Sequence, residues 1–316
     1  MALKIGPGVA TQNVLNALTQ LYPHRRFTLG SLKPPRLEDL NWVLRAHDKA
    51  GFSVICKTGA RDDAAVDRLH QQFNRQTEMA AYFQTERLRL PNPLHFDHRN
   101  NVFVMEDAKG RDLRQVWSKR KTIAENRRLF RKSGEWLAQF HAPSARISAF
   151  DPAPLLNWFK KTNCASLADD AQYQALTDSL TTLAAQADGK PTRRAITHRD
   201  FHLGNLILNR DGILFGIDFG NHQEDEAMRD MVSFAMDALT RWNGNPAPPD
   251  AFTTVFQAFS KGCNSQEIAP QVRLFFQRMQ ALVDWRNMSG LTPLTQARQQ
   301  KIDILRSLAL ASDPII

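Results

Sequence analysis

The hydrophobic rhythm of the chain changes near Asp107. Before that point it runs in short segments rich in β-branched and aromatic residues: RRFTLGSL, NWVLRAHD and FSVICKTG, then PLHF and NVFVMED. A Pro-Pro step and the turn DKAG divide the first three, a pattern that predicts an antiparallel meander. One helix interrupts the series over DDAAVDRLHQQFNRQTEMAAYFQTE. There Val66, Leu69, Phe73, Met79, Tyr82 and Phe83 mostly fall at helical spacing behind Asp62 and Asp63. A shorter amphipathic helix, marked by Leu15, Leu18 and Leu21, precedes the first strand. After Asp107 the spacing is helical. TIAENRRLFRKSGEWLAQFHAPS is stopped by Pro143, and LADDAQYQALTDSLTTLAAQADGK ends near Gly189. Helix resumes after Glu226 and runs to about residue 310, with a break at NGNPAPPD. The expectation is an α+β chain in two parts. A small β-rich part over residues 1–107 carries one main helix, and a larger, mostly helical part covers 108–316.

Totals narrow the class. The 316 residues are 42% hydrophobic and 23% charged, ordinary for a globular protein with a sizeable core. No apolar run approaches the roughly 20 residues that span a bilayer, and the N-terminus does not read as a secretory signal. A cytoplasmic location is expected. Cys56, Cys164 and Cys263 are too widely spaced for a zinc site or a disulfide framework and read as small buried hydrophobes. The net charge is +9, and nine Lys and Arg residues between Arg111 and Lys132 face only Asp112 and Glu125. Such a run is either a solvated helix face or a surface for an anion: a phosphorylated acceptor, an acidic partner or a lipid head group at a membrane periphery. No zinc-finger or RRM signature occurs, so no specific nucleic-acid partner is expected. The sequence does not fix an oligomeric state.

The chemistry concentrates in AITHRDFHLGNLILNRDGILFGIDFGN, residues 195–221. LIL and ILFGID flank NRDG, a hairpin signal with Asp211-Gly212 at its tip. Asn205 precedes one arm and Asp218 closes the other, near a loop that carries Asp200. An amide oxygen with a carboxylate suits Mg²⁺, which takes phosphate oxygens as further ligands. A second carboxylate, Asp200, is then free to accept a proton from an attacking hydroxyl. His198-Arg199-Asp200, Asn205 five residues on and Asp218-Phe219-Gly220 thirteen further match the catalytic-loop and metal-binding signatures of kinases. Those parts serve phosphoryl transfer from ATP, where positioning and charge neutralisation do most of the work.

On these residues the chain resembles the aminoglycoside phosphotransferase and choline kinase group, the small-molecule branch of the protein-kinase-like fold. THRDFHLGNLIL, with His202, is similar to that group's catalytic loop. SGEWLAQFHA resembles the helix ending in Leu-His, and Asp230 in AMRDMVSF resembles the acidic residue about a dozen positions after the metal-binding Asp. The resemblance implies a bilobal fold. It makes Asp200 the catalytic base, and Asn205 and Asp218 the Mg²⁺ ligands. It makes Lys57 the lysine on the α- and β-phosphates, with Glu78 as its partner and Glu86 a later alternative. Glu106 to Ala108, in VMEDAKG, would read the adenine by backbone. His198 and Asp230 would brace the loop. Independently, a lysine in the apolar strand FSVICKTG is costly unless it meets an anion.

The sequence also departs from that group. The segment over the phosphates, LGSLKPPRLEDLNW, has only Gly30, and Ser31 and the backbone there are left to touch phosphate. Arg199 stands where the small-molecule branch commonly has Gly, a cue toward a protein acceptor. NHQEDEAMRDMVSFAMDAL is expected to turn helical almost at once, leaving no long activation segment and no peptide platform. The acidic HQEDE, residues 222–226, points to an amine, the basic run to an anion. Trp285 and Arg286 read either as acceptor-pocket residues or as a core Trp with a surface Arg. The reading is an ATP- and Mg²⁺-dependent transfer of the γ-phosphate to a small-molecule hydroxyl: a sugar, aminoglycoside, choline-like alcohol or glycan precursor. The alternatives are a protein or lipopolysaccharide kinase, and a nucleotide-binding scaffold without turnover.

Overall fold

The computed structural model describes residues 5–33, 41–83, 85–117, 123–162, 167, 170–241, 249–291 and 295–316. Pro34, Pro35, Lys119 to Lys121, Cys164 and most of the NGNPAPPD break lie outside them. In chain order the elements begin α1 (Pro7–Leu21), β1 (Thr28–Lys33), β2 (Trp42–His47), β3 (Ser53–Thr58), α2 (Asp63–Ala80) and β4 (Leu88–Arg89). Then come β5 (Pro93–Asp97), β6 (Val102–Glu106), β7 (Gly110–Asp112), α3 (Leu113–Trp117), α4 (Ile123–His141), β8 (Arg146–Ala149), α5 (Ala153–Lys161) and α6 (Ala171–Ala187). The chain continues through β9 (Pro191–Ile196), a 3₁₀ turn at Leu203–Asn205, β10 (Leu206–Asn209), β11 (Leu214–Gly216) and β12 (Glu224–Glu226). It closes with α7 (Met228–Thr240), α8 (Pro249–Gly262), a 3₁₀ turn at Ser265–Glu267, α9 (Pro270–Ser289) and α10 (Gln296–Leu310). No helix among the described residues is long and apolar enough to cross a membrane.

The chain forms two compact units: residues 1–111 with 207–221, and residues 112–206 with 222–316. The expected division at 107–108 left everything after it in one part. The structure instead returns the 207–221 hairpin to the first unit, because β10 and β11 complete a sheet ordered β4-β11-β10-β7. β11 and β4 run parallel, a pairing between segments far apart in sequence that no local pattern announces.

In the first unit the predicted meander is an antiparallel sheet ordered β1-β2-β3-β6-β5. Strand alternation gives it two apolar faces. Leu44, Ala46, Val54, Cys56, Val102 and Val104 point one way and pack on Ala10, Val14, Ala17 and Leu18 of α1. Ile55, Phe103 and Met105 point the other way, toward Leu69, Val66 and Phe73 of α2. Each fully buried Val or Leu contributes about 1.5–3 kcal/mol, so two covered faces explain why a small sheet is stable. Asp62 caps α2, accepting from the Ala65 N–H at 3.0 Å. At the β10–β11 tip, Gly212 adopts φ +77, the left-handed geometry this hairpin turn needs, and its N–H donates to the Asn209 carbonyl.

Among its described residues the second unit is mainly helical and carries a three-stranded sheet, β12-β9-β8, antiparallel throughout. Sequence reading missed it: PTRRAI alternates weakly, and the other two strands are only three and four residues long. α4 and α8 cross at a glycine pair. A Cβ on Gly134 would meet the Phe259 carbonyl oxygen at 2.3 Å, and one on Gly262 would meet the Arg131 carbonyl oxygen at 2.3 Å. The helices therefore touch backbone to backbone. Around them run stacked aromatics: Trp136 on Phe201 (5.7 Å), Phe201 on Phe234 (5.3 Å) and Phe234 on Phe259 (4.5 Å). Burial pushes the Cys56 and Cys263 thiols up to about 12, so neither is a nucleophile at neutral pH.

Candidate active site

Each unit carries one group of the predicted residues. In the first, Lys57 Nζ donates to Asp218 Oδ1 at 2.7 Å and to Gln72 Oε1 at 3.4 Å. The Lys57 side chain is 13% exposed, and this ion pair is what makes a half-buried ammonium tolerable. Asp218 has φ +69, left-handed backbone rare for a residue with a Cβ, of the kind that clusters at functional sites. Glu78 does not partner Lys57. It is 64% exposed and lies 3.8 Å from Arg75 on its own helix. The reason is helical geometry: Gln72 faces Lys57, and six residues further the side chain has turned by about 240° onto another face. The carboxylate beside the lysine is Asp218 itself.

Ser31 lies in the row of Leu44, whose side chain packs on the α1 face; Lys57 belongs to the opposite face. The Ser31 side chain is thus not directed toward the lysine. Glu106 ends β6 with its N–H given to the Asn92 carbonyl (2.9 Å) and its carboxylate accepting the Asn92 N–H (3.0 Å). Its amide N–H is committed within the protein and is not offered to a base. Ala108 is buried. Between them Asp107 pairs with Arg45 at 2.9 Å.

In the second unit, Asp200 projects from the loop after β9 with its side chain 64% exposed. Asn205 Nδ2 donates to the Asp200 carbonyl (2.8 Å) and to its Oδ2 (3.0 Å). With the nitrogen so committed, the Asn205 oxygen is the atom left to act as a ligand. His202 Nδ1 accepts from the Gly204 N–H at 3.0 Å, so the ring hydrogen sits on Nε2, 3.5 Å from Asp200 Oδ1. Burial lowers the His202 pKa most, against the raising charge of Asp200. The ring is neutral near pH 7 and presents a donor to the carboxylate.

A buried scaffold holds this exposed carboxylate. Asp230 is fully buried and accepts from the His198 N–H (2.7 Å), the Arg199 N–H (2.8 Å) and His141 Nε2 (2.8 Å). These bonds fix Arg199 at φ +64. His198 is buried among Trp136, Phe140 and Phe201. Bracing roles for Asp230 and His198 agree with these contacts. Sequence reading missed Asp237, which accepts the Leu203 N–H at 3.1 Å and lies 3.5 Å from Arg114 Nε. A signal existed: Asp237 follows Asp230 by seven residues, two helical turns, so both lie on one face of α7. Asp284 on α9 was missed as well. Burial, followed by the charge of Asp237, pushes its carboxyl up to about 6 against the hydrogen bond from Gln280.

Two other expectations change. The acidic run is spent inside the protein. Glu224 pairs with Arg146 (2.7 Å) and Arg194 (3.1 Å), Asp225 with Arg229 (2.8 Å) and Arg199 (3.4 Å), and Glu226 with Arg194 (3.2 Å) and Thr192 (2.6 Å). It forms β12 before α7 begins, so the chain does not turn helical at once. Trp285 and Arg286 are both buried, and Arg286 donates to Thr162 O at 2.6 Å and Oγ1 at 2.8 Å. Trp285 is core, as one reading had it; Arg286 is not a surface residue.

The chain is similar to known proteins in sequence pattern and in fold. The sequence pattern of the phosphotransferase enzyme family matches residues 37–262. No curated protein matches the chain. Among solved structures, an amicoumacin kinase in complex with AMP-PNP, Ca²⁺ and Ami superposes with TM-score 0.59 at 15% identity, covering 96% of this chain and 94% of that one. A choline/ethanolamine kinase family protein from Mesorhizobium loti gives 0.57 at 13% identity, covering 96% of each. A choline kinase from Streptococcus pneumoniae gives 0.55 at 13%, covering 95% and 98%. At such identities the likeness establishes the kinase-like fold. The family match spans most of the chain, and with it the chain belongs to the phosphotransferase enzyme family and is a kinase-type phosphotransferase.

Proposed function

We propose that the protein moves the γ-phosphate of ATP to a hydroxyl of a small molecule, with Mg²⁺ as the nucleotide's metal. The observation that carries this reading is Asp200: an exposed carboxylate on a loop whose backbone is tied to the fully buried Asp230. Exposure lets it meet an acceptor, and the buried anchor keeps it in place. Asp200 accepts the proton of the attacking hydroxyl as that oxygen bonds to phosphorus and ADP departs. The nearby neutral His202 orients the carboxylate.

Lys57 and Asp218 fit a metal–nucleotide. Their ion pair sets a cation for phosphate beside a hard oxygen ligand. The Asn205 oxygen, left free by its nitrogen's bonds to Asp200, is a second ligand of the right kind. When bound, Mg²⁺ neutralises charge on the transferred group. The amicoumacin kinase in complex with AMP-PNP and Ca²⁺ supports nucleotide and divalent-metal use. The two choline kinase relatives support a small acceptor. The cue toward a protein acceptor weakens, because Arg199 pairs with Asp225 of the same unit rather than waiting for a phosphorylated segment. The basic run keeps an anionic acceptor, or contact at a membrane surface, within the proposal.

The test is transfer from γ-labelled ATP into cell extract split into small-molecule, glycolipid and protein fractions. Label in the small-molecule fraction alone is expected. Label confined to protein or glycolipid overturns the assignment of acceptor class.

A further inference from the structure

We propose that Lys33 is a second phosphate-binding lysine of the nucleotide site, supplying a side-chain contact beside a segment poor in glycine. The inference rests on the phosphotransferase reading above. It begins with a bulge. β1 and β2 pair one to one from Thr28↔His47 to Ser31↔Leu44, then the register slips and Lys33 stands opposite Val43. Leu32 is the extra residue, and its side chain is 49% exposed. Val43 in turn stands opposite Lys57 on β3. Lys33, Val43 and Lys57 therefore form one row across three strands, and residues in one row share a face. In unbroken register Leu32 would oppose Val43, and Lys33 would oppose Trp42 on the α1 side of the sheet. A one-residue slip turns every later side chain over, and here it delivers a lysine to the face of Lys57.

The consequence is visible at Asp218. Its Oδ1 accepts from Lys57 Nζ at 2.7 Å, and its Oδ2 lies 3.9 Å from Lys33 Nζ. Asp218 thus stands between the two ammonium groups. A polyphosphate carries several negative oxygens and can meet both lysines at once. Backbone cradles for phosphate use glycine for close approach, and of LGSLKPPRLEDLNW only Gly30 qualifies. A lysine is a compact charge on a flexible stem and needs no such approach. Lys33 is 35% exposed and reaches in from the sheet edge, whereas Lys57 is 13% exposed and set deeper. The pair has the arrangement of an outer and an inner phosphate ligand. If Lys33 were only a surface ion pair, its loss would change little.

The experiment is equilibrium binding of Mg-ATP and of adenosine to the full chain, by calorimetry, for the wild type, Lys33→Met, Lys33→Arg and Lys57→Met. Melting curves of each variant confirm that it is folded. A charge-assisted bond to phosphate predicts that Lys33→Met weakens Mg-ATP by about tenfold or more. Adenosine binding stays unchanged, and Lys33→Arg recovers most of the Mg-ATP affinity. Unchanged Mg-ATP binding by Lys33→Met, with binding lost in Lys57→Met, overturns this inference and leaves the kinase reading intact. Absence of Mg-ATP binding by the wild type overturns the kinase reading and this inference together.

Discussion

Asp230 and Asp237 lie two turns apart on one face of α7 and hold opposite ends of the segment that carries Asp200. Asp230 takes the His198 and Arg199 amides at its start, and Asp237 takes the Leu203 amide near its end. Rigidity at the proposed catalytic carboxylate is thus supplied by a helix behind it. Asp230→Ala would strand two backbone donors and the His141 ring in a fully buried place. A loss of about 3–5 kcal/mol in urea denaturation is expected. Asp230→Asn should not rescue it, because an amide offers one accepting oxygen where the loop amides use two. Near-wild-type stability of Asp230→Asn would contradict the bracing role.

The α4–α8 crossing depends on two missing side chains. In Gly134→Ala the new methyl meets backbone, the Phe259 carbonyl oxygen, which cannot swing aside as a side chain would. Overpacking of this kind costs about 1–3 kcal/mol, and the melting temperature should fall accordingly. An unchanged melting temperature would mean that the helices do not pack this closely.

Asp284 gives the protein a pH dependence with a definite sign. Its folded carboxyl titrates at about 6, above the ordinary 3.8, so the folded state holds a proton that the unfolded chain has already released. Below 3.8 the group is neutral in both states and costs nothing. Stability falls as pH rises from 3.8 to about 6, and above that the buried charge costs on the order of 2–3 kcal/mol. Asp284→Asn keeps an oxygen for the Gln280 amide and removes the charge. Urea denaturation at pH 8 should show the variant more stable than the parent, with the gap closing toward pH 4. A less stable variant at pH 8 would mean that the carboxylate is compensated by a partner.

Much of this architecture was legible in the residues, and the exceptions have a common cause. Strands β1, β2, β3, β5 and β6 and helix α2 follow from local alternation and capping. Asp200, Asn205 and Asp218 stand out by spacing alone. Three features escaped because non-local pairing sets them. β11 joins β4 across more than a hundred residues of sequence; β8, β9 and β12 are short strands that find one another; and the slip at Leu32 exists only relative to β2. Glu78 was a reasonable choice by residue type, but the phase of α2 puts Gln72 at Lys57. Asp237 is legible in the sequence through its seven-residue spacing from Asp230, which puts both on one face of α7.

The role proposed for Asp200 is to act on the acceptor and not on the nucleotide. It is tested most directly by measuring Mg-ATP binding and phosphoryl transfer side by side in Asp200→Ala. The expected result is transfer reduced by about 10²–10⁴-fold, the usual worth of a positioned general base, with Mg-ATP affinity within about twofold of the parent, a difference under about 0.5 kcal/mol. Undiminished transfer by the variant would contradict the account.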